Sequence, residues 1–228
     1  MSEHQRKQIE IIDAIEAQLK TNSFRATAIS PVADFNVDTR MSLTAVHFPA
    51  KYLNSYIVKE IIEPLKAVFP EAYYYSDDNL HMTIKNIRAP HDPPRFTDED
   101  IRKAEEVFGS VVPGHTKFNV FLYRLLLFQN NLALMGTTDE ELDSIIFDLD
   151  RGLQDSGIAD DKKYVNTSHF FINVNIARFA QFPPEFKRKA GEFSQRLNFD
   201  PYCIDTVSLV TANSVFKKVS QVNTWNLK

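Results

Sequence analysis

Two short segments, residues 81–87 and 169–176, limit what this chain can become more than any other feature. Neighbouring side chains on an extended strand point to opposite faces, so a strand buried on one side reads as an alternation. In 81–87 the odd positions carry His81, Thr83, Lys85 and Ile87, and the even positions begin with Met82 and Ile84. In 169–176 the odd positions carry His169, Phe171, Asn173 and Asn175, against Phe170, Ile172, Val174 and Ile176 on the even ones. Each segment predicts a strand with one apolar face, suited to a helix layer, and one mostly polar face headed by a histidine. Polar groups such as Thr83, Lys85, Asn173 and Asn175 are costly to bury unpaired. Those faces are expected to meet water or a ligand and to line one cleft.

The surrounding sequence supplies the layers such strands need. Ile11, Ile12, Ile15 and Leu19 recur at helical spacing within residues 3–20, an amphipathic helix expected to pack on the main body, and residues 21–40, with Pro31, read as a connecting arm. From Met41 onward strands and helices alternate. A strand is expected over 41–48, a helix bearing Ile57, Ile61, Leu65 and Val68 with a kink at Pro64, and short strand character at Tyr73–Tyr75. Thr97 opens a capped helix, residues 117–128 and 132–136 form a hairpin, and Thr138 with Glu141 reads as a capping box for a helix through about residue 154. The strand at 169–179, a helix opened by Pro183 and Pro184, and strands over 202–211 and 214–226 repeat the theme. The expected architecture is α+β: two pseudo-symmetric lobes of antiparallel-rich sheet with outer helices around a central cleft. Residues 1–40 form helix and arm, and 41–228 one bilobal domain with no separating linker.

Composition narrows the function classes. The single cysteine, Cys203, rules out an internal disulfide and a cysteine-based zinc cluster, which fits a reducing compartment. The N-terminus is polar and no run approaches the ~20 apolar residues of a membrane span, so a cytoplasmic protein without a membrane partner is expected. A formal charge of −4 argues against coating duplex DNA, whose affinity comes from many phosphate contacts. A short anionic ligand needs only a local positive pocket, and Lys85, Arg88, His91 and Arg95 follow closely on His81. The chain has no His-Glu-x-x-His segment, no Gly-x-Gly-x-x-Gly fingerprint, no phosphate-binding Gly-Lys-Ser/Thr loop and no Gly-x-Ser-x-Gly elbow.

His81-Met82-Thr83-Ile84 and His169-Phe170-Phe171-Ile172 then carry a family resemblance. A histidine, one residue, a Ser or Thr and an apolar residue, once per half of a pseudo-symmetric α/β protein, resembles the 2H phosphoesterases, the LigT-like or 2′-5′ RNA ligase-like family. The first segment matches in full. The second departs at its third position, where Phe171 replaces the hydroxyl residue. The resemblance covers residues from about 41 to the C-terminus. It implies a phosphate held between two imidazoles, one activating water or a ribose hydroxyl and the other protonating the leaving oxygen, in unassigned order for His81 and His169. It gives Thr83 a phosphate oxygen to hold. Alternation adds Lys85 as a neighbouring charge, and no metal or cofactor is called for.

Three consequences of Phe171 stay open on sequence: its ring stacks on a base, Asn173 or Asn175 supplies the missing donor, or the site binds ligand without turnover. The expected function is metal-independent cleavage of a small nucleotide or RNA-end phosphodiester, a 2′,3′-cyclic phosphate or 2′-5′ linkage. The alternative is a catalytically silent module that binds a nucleotide or a protein partner in the same groove. His47, on the first strand, reads as an ordinary hydrogen-bonded histidine ahead of one approaching the groove, and Tyr73, Tyr74, Tyr75 and Tyr164 read as packing ahead of stacking on a base.

Overall fold

The computed structural model describes residues 1–228 except 22, 25–28, 31, 159, 160 and 162–165. Tyr164, Pro31 and part of the expected arm therefore lie outside the described residues. Helix α1 spans Glu3–Lys20, and strand β1 spans Met41–His47. A long helical stretch follows as α2 (Lys51–Ile57), a π segment (Val58–Ile62) and α3 (Glu63–Val68). Pro64 lacks an N–H and crowds the preceding turn, and the widened π turn upstream of it is where that strain is relieved. Then come β2 (Tyr73–Tyr74), β3 (Met82–His91), α4 (Asp98–Val111), β4 (Phe118–Leu127), β5 (Asn131–Thr138) and α5 (Glu141–Asp155). The chain closes with β6 (Ile172–Arg178), α6 (Pro184–Ser194), β7 (Tyr202–Ile204), β8 (Thr206–Asn213) and β9 (Val219–Asn226).

The strands form one nine-stranded antiparallel sheet in the order β7-β4-β5-β6-β3-β1-β8-β9, with β2 beside β6. The sheet divides into halves of four strands, β6-β5-β4-β7 and β3-β1-β8-β9, each beginning at the centre with the strand that follows a histidine. Among the described residues one rung crosses that centre, Met82 opposite Val174. The expected α+β, two-halved architecture is the one observed. Helices α2 to α6 cover one face of the sheet over a core containing Ile57, Leu65, Phe108, Ile145, Leu149 and Phe186. Gly152 lets α5 meet α4 closely, since a Cβ there would stand 2.7 Å from Val107 Cγ1.

Helix α1 departs from this plan. It lies on the opposite face, where Ile12 and Ile15 pack with Leu126, Ala133 and Met135, and Arg124 of β4 ties down Asp13 and Glu16 at 2.5 and 2.9 Å. Ala133 and Met135 pair with Asn175 and Asn173, so α1 covers part of the polar face expected to stay open.

Three local expectations fail for identifiable reasons. The Thr138–Glu141 capping box does not form: Thr138 ends β5, and α5 starts without a side-chain cap. The strand expected from 169 begins only at Ile172, because Asp143 accepts the Phe170 N–H at 2.8 Å and the Gln8 amide takes its carbonyl. Lys85 leaves the His81 face. Opposite Ala45 and Val46, β3 skips from Lys85 to Thr83, and this bulge at Ile84 reverses the alternation. Lys85 is 1% exposed on the helix side, in an ion pair with Asp150 of α5, and Asn86 takes its place beside Thr83. Replacing Lys85 with alanine removes a fully buried stem, and is expected to lower unfolding free energy by about 2–4 kcal/mol in urea titration while leaving groove-ligand affinity within twofold. A large affinity loss would return Lys85 to the site.

Candidate functional site

A cavity of about 440 Å³ is lined by residues of β1, β3, β5 and β6 and by Ile15 of α1, with Ile146 of α5 also reaching its wall. His81, Thr83, His169, Phe171 and Asn173 all line it, joined by Asn175. Lys85 does not. Of the basic run after His81, His91 and Arg95 reach the cavity, whereas Arg88 is not part of its wall. His47 is buried elsewhere, with Nδ1 against the Thr206 carbonyl at 3.0 Å and Nε2 against the Tyr202 hydroxyl at 3.0 Å, the ordinary role expected of it. Tyr73 and Tyr74 donate to backbone carbonyls, and Tyr75 alone of the three reaches the wall.

His81 is held from several sides. The turn before β3 brings the Asn79 carbonyl 2.9 Å from its Nδ1; a carbonyl only accepts, so the ring carries its proton on Nδ1 and turns an unprotonated Nε2 outward. Phe216 stacks on the ring at 3.5 Å and 16°, and Tyr75 meets its edge at 5.9 Å. Phe216 sits in the turn between β8 and β9 with φ of +56°, a conformation a bulky residue rarely adopts, so the turn holds strain of about 1–3 kcal/mol while presenting that ring. Burial at 3% exposure, with the nearby Arg178 charge, lowers the His81 pKa to about 4 despite the opposing Asn79 hydrogen bond.

Arg178, at the end of β6, is 6% exposed and lines the same cavity. Its Nε donates to the Tyr75 hydroxyl at 3.1 Å, and among the described residues no carboxylate stands within ion-pair distance of it. A buried guanidinium without a counter-ion is expensive unless an anion joins it. The wall as a whole points the same way: its described residues include Arg40, Arg95, Arg178 and three histidines but no Asp or Glu, in a chain of net charge −4. Arg40 is already paired with Asp38 at 2.5 Å.

His169 is presented differently. Asn166 accepts its N–H at 2.9 Å, and its ring lies 5.4 Å from that of His4 in α1. Behind both, Asp143 on α5 has its carboxyl raised above the usual range, chiefly by burial, against the pull of the Phe170 N–H, His4 and His169. The Met82–Val174 rung comes directly after His81 but five positions after His169, so the two histidines flank different lengths of the seam. Among the described residues no three His, Cys, Asp or Glu side chains are grouped to hold a metal ion, and no helix is long and apolar enough to cross a membrane.

Comparison with protein-family models gives no match, and comparison with curated proteins gives none. Solved structures do match. E. coli LigT complexed with ATP superposes with a TM-score of 0.54 at 13% identity, covering 83% of this chain and 99% of that one. The chain has the LigT fold. A structure described as a phosphoesterase gives a TM-score of 0.57 at 13% identity with the same coverage, and TT0787 of Thermus thermophilus gives 0.54 at 11%, covering 82% and 97%. At such identities the likeness is one of architecture, and the LigT-like sheet is the one the two histidine segments implied.

His4, Gln8, Asp143, Arg178 and Phe216 escaped sequence reasoning, and Tyr75 was named only within a group of tyrosines. Only Arg178 carried a usable signal, an arginine ending an apolar-faced strand; the others are assembled by tertiary contacts. The depressed His81 pKa has a stability consequence. Between about 6.5 and about 4 the unfolded chain protonates this ring and the folded chain does not, so stability falls with acidification across that window. His81→Asn is expected to flatten this part of the pH–stability curve, measured by urea unfolding; an unchanged slope would show that His81 protonates freely when folded.

Proposed function

We propose that the groove binds a phosphodiester of a small nucleotide or RNA end and hydrolyses it without a metal, with His81 as base and His169 as acid. The observation that carries this reading is a wall with buried Arg178, half-buried Arg40 and exposed Arg95, free of carboxylates among its described residues, around an imidazole whose Nε2 is unprotonated. Solved structures of E. coli LigT with ATP, 3′-AMP and phosphate support the ligand class. A cytoplasmic setting, with neither duplex DNA nor membrane as partner, is part of the same proposal.

The chemistry follows from the two environments. His81 Nε2 takes a proton from water as the oxygen attacks phosphorus. His169, beside His4 and near the Asp143 carboxyl, gives a proton to the leaving ribose oxygen. One P–O ester bond breaks and a phosphomonoester with a free hydroxyl results. Arg178 and Thr83 hold the non-bridging oxygens, and Phe171 offers an apolar face to a base in place of a hydroxyl. A second reading, binding without turnover, is favoured by Phe171 itself and by the unequal placement of the histidines about the central rung.

Turnover of 2′,3′-cyclic nucleotides and 2′-5′ dinucleotides, beside calorimetry with the same compounds, separates the readings. His81→Ala and His169→Ala are each expected to lower kcat by roughly 10²–10⁴ with the fold intact. The acid limb of kcat/KM is expected near pH 4 rather than 6.5, because His81 stays unprotonated down to that range, and chelator is expected to change little. Full activity in either variant contradicts the mechanism, and binding without product favours the silent module.

A further inference from the structure

The rungs between β5 and β6 run Leu134–Val174, Met135–Asn173 and Gly136–Ile172, so the next hydrogen-bonding position would set Thr138 opposite Phe170. That rung is occupied by a side chain. Gln8, wholly buried on α1, accepts the Thr138 N–H at Oε1 (2.9 Å) and donates from Nε2 to the Phe170 carbonyl. Its amide stands where a peptide group would and holds the two chains apart immediately beside His169. The same nitrogen contacts the Thr138 hydroxyl at 2.8 Å and His4 Nε2 at 3.0 Å, one turn back along α1. The amide's two hydrogens are shared among these three contacts, and the other nitrogen of the His4 ring, Nδ1, faces Asp143 Oδ2 at 3.7 Å. Asp143 in turn holds the Phe170 N–H. Every described polar group of Phe170 is thus bound by a side chain of α1 or α5, and the His4 ring flanks the His169 ring.

We propose that α1 is a working wall of the groove, in which Gln8 and His4 are positioning residues that set the place and tilt of His169. The proposal rests on the reading of His169 as a functional group of the site. It gives the N-terminal helix a role in the chemistry rather than in packing alone: α1 ends the ladder one residue past His169, turns that residue off the strand, and closes the β4–β5 side of the groove with Ile15.

The test uses the full chain with Gln8→Ala, His4→Phe and, as a control on the exposed face of α1, Lys7→Ala. NMR follows the His169 ring signals and the Thr138–Phe170 contact; kinetics on a 2′,3′-cyclic nucleotide separates kcat from KM. Gln8→Ala is expected to let Thr138 and Phe170 pair directly, to shift the His169 signals and to lower kcat about 10- to 100-fold at unchanged KM. His4→Phe, which keeps a ring in place, is expected to shift the same signals and lower kcat less, and it decides the matter alone if Gln8→Ala does not fold. Unmoved His169 signals in the folded variants, or losses confined to KM, overturn the proposal. Should the wild-type chain turn over nothing, the hydrolysis reading fails, while the NMR shifts still uphold or overturn the positioning role.

Discussion

Among the described residues the two central strands, β3 and β6, meet at one rung, Met82 opposite Val174, and β2 takes over the β6 edge beyond it, with Tyr73 opposite Arg178 and Tyr74 opposite Ala177. Each half keeps an apolar face against α2–α6, and residues of β1, β3, β5 and β6 line the cavity between them. The histidine before each central strand then stands at the wall of a shared cavity.

The two ends of that cavity are built for different proton chemistry. His81 is desolvated, clamped by Phe216 and Tyr75, and pinned through Nδ1, all of which favour a neutral acceptor. His169 instead lies beside the His4 ring, near the buried Asp143 carboxyl on α5. Such divergence between like residues is how one fold separates an acid from a base. Arg178 completes the first environment, since its buried charge has a hydroxyl for company but no described carboxylate.

The alternation of 169–176 put Phe171, Asn173 and Asn175 on the groove wall, and β6 pairs with β5 without a register shift from Ile172 to Asn175. The same rule misplaced Lys85, because the bulge at Ile84 depends on how β3 meets β1 and no local residue announces it. The apolar stripe of α1 was legible, and the side of the sheet it covers was not. Gln8 and His4 lie outside the apolar stripe that the spacing showed, yet one replaces a ladder rung and the other abuts the site. The paired architecture was legible because it rests on periodicity, whereas the supports of each histidine come from elements far apart in sequence.

The most direct measurement is a crystal structure with 3′-AMP or inorganic phosphate in the groove. The account predicts the phosphate within hydrogen-bond distance of His81 Nε2 and the Arg178 guanidinium, with the His169 ring turned toward the same group. A phosphate bound away from both imidazoles, or a groove that stays empty at millimolar ligand, would contradict it.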